Sequence, residues 1–165
     1  MNFISKIHFI VLLCIFFFFF GCRKSEQYPI IPEIKFVSLD VYTNDSTNAN
    51  QGLLKFSYSD GDGDLGLQAN DTTPPHDYDI YSLFYKKHNV NGVIDTIKIN
   101  TPAPVAARIP YLTPKGATKA IKGEIDVTIP LPLSNGGKDT IYFQTYIFDR
   151  AMHKSNIITT PDFIL

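Results

Sequence analysis

Apolar and polar residues alternate with period two along much of the chain beyond residue 32. In "GLLKFSYS" (52–59), Leu54, Phe56 and Tyr58 alternate with Lys55, Ser57 and Ser59, the pattern of a strand with one buried and one wet face. "IKGEIDVTIPLP" (121–132) likewise sets Ile125, Val127 and Ile129 against Glu124, Asp126 and Thr128. Five more segments rich in β-branched and aromatic residues read as strands: 33–42, 78–87, 92–100, 139–149 and 156–165. Asn91 and Gly92 predict a tight hairpin, and "SNGGK" predicts the turn into 139–149. Four prolines interrupt "TPAPVAARIPYLTPKGA", so only a short edge strand over 109–112 is expected there. No segment sustains an apolar stripe at helical period, and short strands without covering helices predict an all-β antiparallel sandwich of seven or eight strands.

The N-terminus follows a different rule. Lys6 precedes an apolar run from Phe9 to Phe20 that closes on Gly21 and Cys22, the order of a secretory signal peptide over 1–21 and too short for a retained membrane span of about 20 apolar residues. Gly21 and Cys22 resemble the lipobox of bacterial lipoproteins, although Phe19 and Phe20 stand where leucine and a small residue are usual. That resemblance implies diacylglycerol and a fatty acid on Cys22 and so a membrane anchor; the polar, proline-broken stretch 22–32 reads as a tether, and the remaining length suits one domain over 33–165. Arg23 rather than Asp follows Cys22, which points to the outer membrane. Of the two cysteines only Cys22 survives cleavage, so no disulfide framework is available. With 15 Lys and Arg against 16 Asp and Glu, nothing in the charge favours nucleic acid or an anionic surface.

"FSYSDGDGDLGL" and "YIFDRAMHKSNIITTP" are similar to stretches of small Bacteroidetes-type lipoproteins that carry one immunoglobulin-like domain. The second resembles the Asp-Arg-Ala turn before the last strand of such modules, in which Gly-Asn commonly follows; here Met152 and His153 stand instead. The resemblance implies an immunoglobulin-like sandwich and supplies no catalytic residues.

The chemistry concentrates in "DGDGD". Asp60, Asp62 and Asp64 resemble calcium loops of the D-x-D-x-D type, which use oxygen ligands at alternate positions. Gly61 and Gly63 allow the curl that brings carboxylates together. Counted from Asp60, Asp71 stands at position twelve, but Leu65 occupies the glycine position and the flanks are strands, so the expectation is calcium on a sandwich loop rather than an EF-hand. The alternative is a solvated Asp and Gly rich turn. In an immunoglobulin-like order the loop joining the last two strands lies at the same end. Asp149 is then expected to join Asp60, Asp62 and Asp64, with Arg150 as a salt-bridge partner.

His76, His88 and His153 fit no zinc spacing, and no G-x-S-x-G occurs. Most of the aromatics at 78, 81, 84, 85, 142, 143, 146 and 148 are expected in the core. The functional expectation is a membrane-anchored, non-enzymatic binding or adhesion module for an envelope protein or glycan. The alternatives are an accessory lipoprotein of an envelope complex and, last, a metal-assisted hydrolase.

Overall fold

The structure is a computed structural model that describes residues 28–47, 49–90, 93–99, 105–112, 120–131 and 140–164. The expected signal peptide, Cys22 and the first part of the tether lie outside them. Nine strands are present among the described residues: β1 (Glu33–Asn44), β2 (Ala49–Asp60), β3 (Ile80–Val90), β4 (Val93–Lys98), β5 (Val105–Ala107), β6 (Ile121–Pro130), β7 (Thr140–Ile147), β8 (Ile158–Thr159) and β9 (Phe163–Ile164). One sheet is ordered β1-β2-β6. The other is ordered β4-β3-β7-β8, with β5 also on β3 and β9 also on β7. Every strand pair is antiparallel. The fold is an all-β sandwich with an immunoglobulin-like strand order.

The excess over seven strands comes from two edges that are each served by two short strands in series. On β3, β5 pairs with Ile80–Ser82 and β4 with Tyr85–Val90. On β7, the expected strand 156–165 is divided into β8 and β9 around Pro161, which has no N–H to give to the ladder. Thr160 bridges the break, its backbone N–H and its Oγ1 meeting the carbonyl and N–H of Phe143 at 3.0 and 3.1 Å. The edge strand expected over 109–112 is displaced to β5. Pro110 lacks a donor, and the Ile109 N–H goes to a carboxylate of the loop before β3.

The two sheets close on Leu54, Phe56 and Ile129 from one side and Phe84, Phe143 and Ile147 from the other, all buried. In β7 the alternation is complete: Ile141, Phe143, Thr145 and Ile147 face inward, and Tyr142, Gln144 and Tyr146 do not. Thr145 and Ser82 meet in the core and share a 2.8 Å hydrogen bond, so each hydroxyl satisfies the other. A bulge between Phe36 and Ser38 switches β1 from even to odd inward positions. Phe36 thus pairs with Phe56 and Leu39 with Leu54, while Val37 is left exposed.

The aromatics correct the expectation. Of the eight, only Phe84 and Phe143 enter the core. Tyr81 stacks on Tyr146 and Tyr85 on Tyr142 across β3 and β7, at centroid distances of 5.6 and 5.1 Å. They occupy the outward parity of both strands, where cross-strand pairing half-buries them without a second layer. Lys154 caps one ladder, its Nζ 3.7 Å from the Tyr146 centroid.

Candidate functional site: the acidic loop end

Period two carries Asp60 into the interior. Leu54 and Phe56 face the core, and Asp60 continues the same parity at the end of β2, where it is fully buried. Its Oδ2 accepts the Asp64 N–H at 2.9 Å, which closes the loop on itself. Gly63, at φ 70°, supplies the left-handed residue that this closure needs. Leu65 and Leu67, both buried, then pin the loop to the core. The segment after β5 crosses beneath it, with the Leu67 N–H donating to the Ile109 carbonyl at 2.9 Å.

Asp149 arrives by the same logic from β7, two residues beyond the inward-facing Ile147, and is also buried. Its Oδ1 accepts the His153 N–H at 2.7 Å, and its Oδ2 meets His153 Nδ1 at 2.8 Å. The 149–153 turn is locked to the acidic loop by its backbone. The Arg150 N–H donates to the Asp64 carbonyl and the Ala151 N–H to Asp64 Oδ2, both at 3.2 Å. The loop end expected from the sequence is therefore assembled, with Asp60, Asp62, Asp64 and Asp149 within electrostatic reach of one another.

Carboxylate oxygens of Asp60, Asp62 and Asp64 all lie within 4.8 Å of one another. Burial, then the neighbouring Asp62 and with it Asp64 and Asp149, push the Asp60 carboxyl up to about 7, against the Asp64 N–H bond that favours its charged form. Asp64 is raised by burial and then by Asp149 and Asp62, while Arg150 pulls it back. The hydrogen bond to Asp149 raises His153.

Two expected ligands stand apart. Asp71 is not in the group, because its Oδ2 accepts the Gln68 N–H at 2.8 Å and closes a local turn; its place at position twelve is a coincidence of counting. Asp149 borders the group but has both oxygens engaged by His153. Arg150 also departs from a plain ion-pair role. Its guanidinium donates to the Leu65 and Gly66 carbonyls at 2.8 and 2.9 Å and lies 4.4 Å from the Tyr111 ring centroid.

No known protein family, curated protein or solved structure matches the chain. The likeness to Bacteroidetes-type lipoproteins thus rests on the two quoted stretches alone, and the sandwich rests on its own strand order.

Residues 28–32, expected as the end of the tether, touch this site. The Gly61 N–H donates to the Pro29 carbonyl at 2.7 Å, and a Cβ on Gly61 would collide with the Tyr28 carbonyl oxygen. Three more participants carried no sequence signal. Asp79 is buried, and its Oδ1 accepts the Ile109 N–H at 2.7 Å; burial pushes it up to about 7. Arg108 gathers the carbonyls of Gln68, Asp71 and Asp77. Tyr111 lies under Arg150.

Met152 holds φ 67°, the left-handed region in which a non-glycine residue costs roughly 1–2 kcal/mol. Met152→Gly is expected to stabilise the domain by about 1 kcal/mol, less than the full strain because glycine also loosens the unfolded chain. Urea unfolding checks this, and a midpoint at or below that of the wild type would show that the turn carries no strain.

Proposed function

We propose that the chain is a membrane-anchored, non-enzymatic binding or adhesion module, lipidated at Cys22 and held at the outer membrane, that meets an envelope protein through its acidic loop end. One observation carries the reading. Tyr111 and Met152, 39% and 37% exposed, flank Arg150 at that end. Tyrosine, arginine and methionine are enriched at protein interfaces, and the ends of immunoglobulin-like sandwiches are where binding loops are displayed. The third reading, a metal-assisted hydrolase, would use His153, whose Nδ1 is held by Asp149 at 2.8 Å.

A tagged full chain, retrieved from native envelope, tests the reading. A central tyrosine anchor is worth about 2 kcal/mol or more, so Tyr111→Ala is expected to lower recovery of the partner by roughly tenfold or more. Ile164→Ala, exposed at the other end of β7, is expected to leave it unchanged. Equal recovery with Tyr111→Ala rejects this face, and a glycan released by the same variant replaces the protein partner.

The second reading, an accessory lipoprotein of an envelope complex, draws on β4. Val93, Ile94 and Ile97 are 69%, 65% and 50% exposed on this edge strand, which suits pairing with a strand of another chain. A partner lost with Ile94→Lys and kept with Tyr111→Ala selects it.

A further inference from the structure

Acidic residues cluster on many surfaces without a ligand, but the Asp60–Asp64 loop differs in where it points its oxygens. Among the described residues, four buried side-chain oxygens lack a hydrogen-bond partner, and three of them are Asp60 Oδ1, Asp62 Oδ1 and Asp64 Oδ1. Asp60 has no exposed surface at all. Its carboxylate cannot turn to water, since β2 fixes it at a core-facing position and its other oxygen is committed to the Asp64 N–H. A buried anionic oxygen left unpaired among like charges is costly, and a cation held by all three is the arrangement that removes the cost.

We propose that Asp60, Asp62 and Asp64 form a binding site for a hard divalent cation, calcium, with one carboxylate oxygen from each as ligand. Oxygens bound to one calcium at about 2.3–2.6 Å lie up to about 5 Å apart, and the three carboxylates lie within 4.8 Å of one another. The donors of the three aspartates are all oxygen, so the set suits a hard ion rather than zinc. Calcium accepts an irregular shell of six to eight oxygens filled out by water, whereas magnesium demands near-octahedral order. Asp149 is a positioning residue. It shapes the turn whose Arg150 and Ala151 N–H groups hold Asp64. The site stands independently of the binding reading above, because it needs no partner.

Calcium would also bear on the chain leading into the domain. Gly61, between two of the ligands, holds the Pro29 carbonyl, so ordering the loop fixes residues 28 and 29 against the sandwich.

The test is calorimetric titration and thermal melting of the detergent-solubilised full chain, stripped with chelator and returned to calcium or magnesium. At 100 times Kd, calcium is expected to raise the melting temperature by roughly 5–10 °C, with saturable binding of one ion. Asp62→Asn and Asp64→Asn are expected to abolish both effects, and Asp71→Asn to keep them. A folded wild type that shows neither heat nor shift overturns the site, as does a shift that survives both substitutions. An equal response to magnesium overturns the assignment to calcium. The titration is made on the chain alone with no envelope protein present, which separates its result from the failure of the partner reading.

Discussion

Gly66→Ala is expected to destabilise the domain by about 3 kcal/mol or more, and to lower its melting temperature by roughly 10 °C. Gly66 holds φ 83°, and a Cβ there would collide with the carbonyl oxygen of Pro110. The left-handed conformation alone costs alanine about 1–2 kcal/mol. The rest comes from what must move. The obstacle is backbone, and Pro110 follows Ile109, whose buried side chain, N–H and carbonyl are all engaged by the core, Asp79 and Leu67. The Gly66 carbonyl also accepts from Arg150, so displacement of Gly66 is felt in the 149–153 turn. Gly123→Ala provides the contrast. Its Cβ would meet the Tyr58 hydroxyl at 2.8 Å and ring carbons at 3.1 Å, a half-buried side chain rather than backbone, and a smaller cost of about 1–2 kcal/mol is expected. Melting curves of both variants decide the matter. A Gly66→Ala domain within about 0.5 kcal/mol of wild type, on the order of an ordinary surface change, would show that the crossing segment yields freely.

The two buried aspartates of the loop end are legible in the sequence as anomalies because period two is a rule about direction. Asp60 follows Leu54 and Phe56 at the inward parity of β2, and Asp149 follows Phe143, Thr145 and Ile147 at that of β7. A carboxylate at such a position points toward the core by parity alone. Their meeting is legible too, since the immunoglobulin-like order puts both strand ends together. The parity rule fails where a strand slips or where burial comes from a third segment. The β1 bulge moves the inward face from Phe36 to Leu39 without a sequence mark. Asp79 precedes Ile80 and has the outward parity of β3, yet it is buried because the chain beyond β5 crosses it. Non-local coverage of that kind has no period to read. The tyrosines of β3 and β7 depart from expectation for another reason: apolar character argues for the core, whereas cross-strand stacking half-buries a ring on the outer face.

In chelator, the domain is expected to lose stability as the pH rises from about 4 to about 8, the reverse of the usual behaviour of paired carboxylates. Asp60 and Asp79 are both raised from 3.8 to about 7, chiefly by burial, and Asp64 is raised in the same direction. A carboxyl with a higher pKa in the folded state binds more protons folded than unfolded between those two values, so unfolding becomes easier as the pH climbs through that window. Below 3.8 the contribution is complete; above about 7 the cost of the buried charge is constant. His153 has the same sign for a different reason. Its bond to Asp149 raises its pKa above 6.5, so the stabilisation is present below that value and fades as the folded imidazolium loses its proton. Asp79 and the loop carboxylates sit on different segments, and their contributions separate by substitution. Asp79→Asn keeps an acceptor for the Ile109 N–H, and Asp60→Asn keeps one for the Asp64 N–H. Each is expected to flatten the pH profile and to raise the urea midpoint at pH 8 above that of the wild type. Calcium is expected to cancel the Asp60 and Asp64 part alone, because a bound cation favours their charged forms, and to leave the Asp79 part in place. Urea midpoints at pH 4.5, 6 and 8 measure all of this, and a midpoint that climbs with pH in chelator would mean that the three carboxylates ionise in the folded chain without penalty.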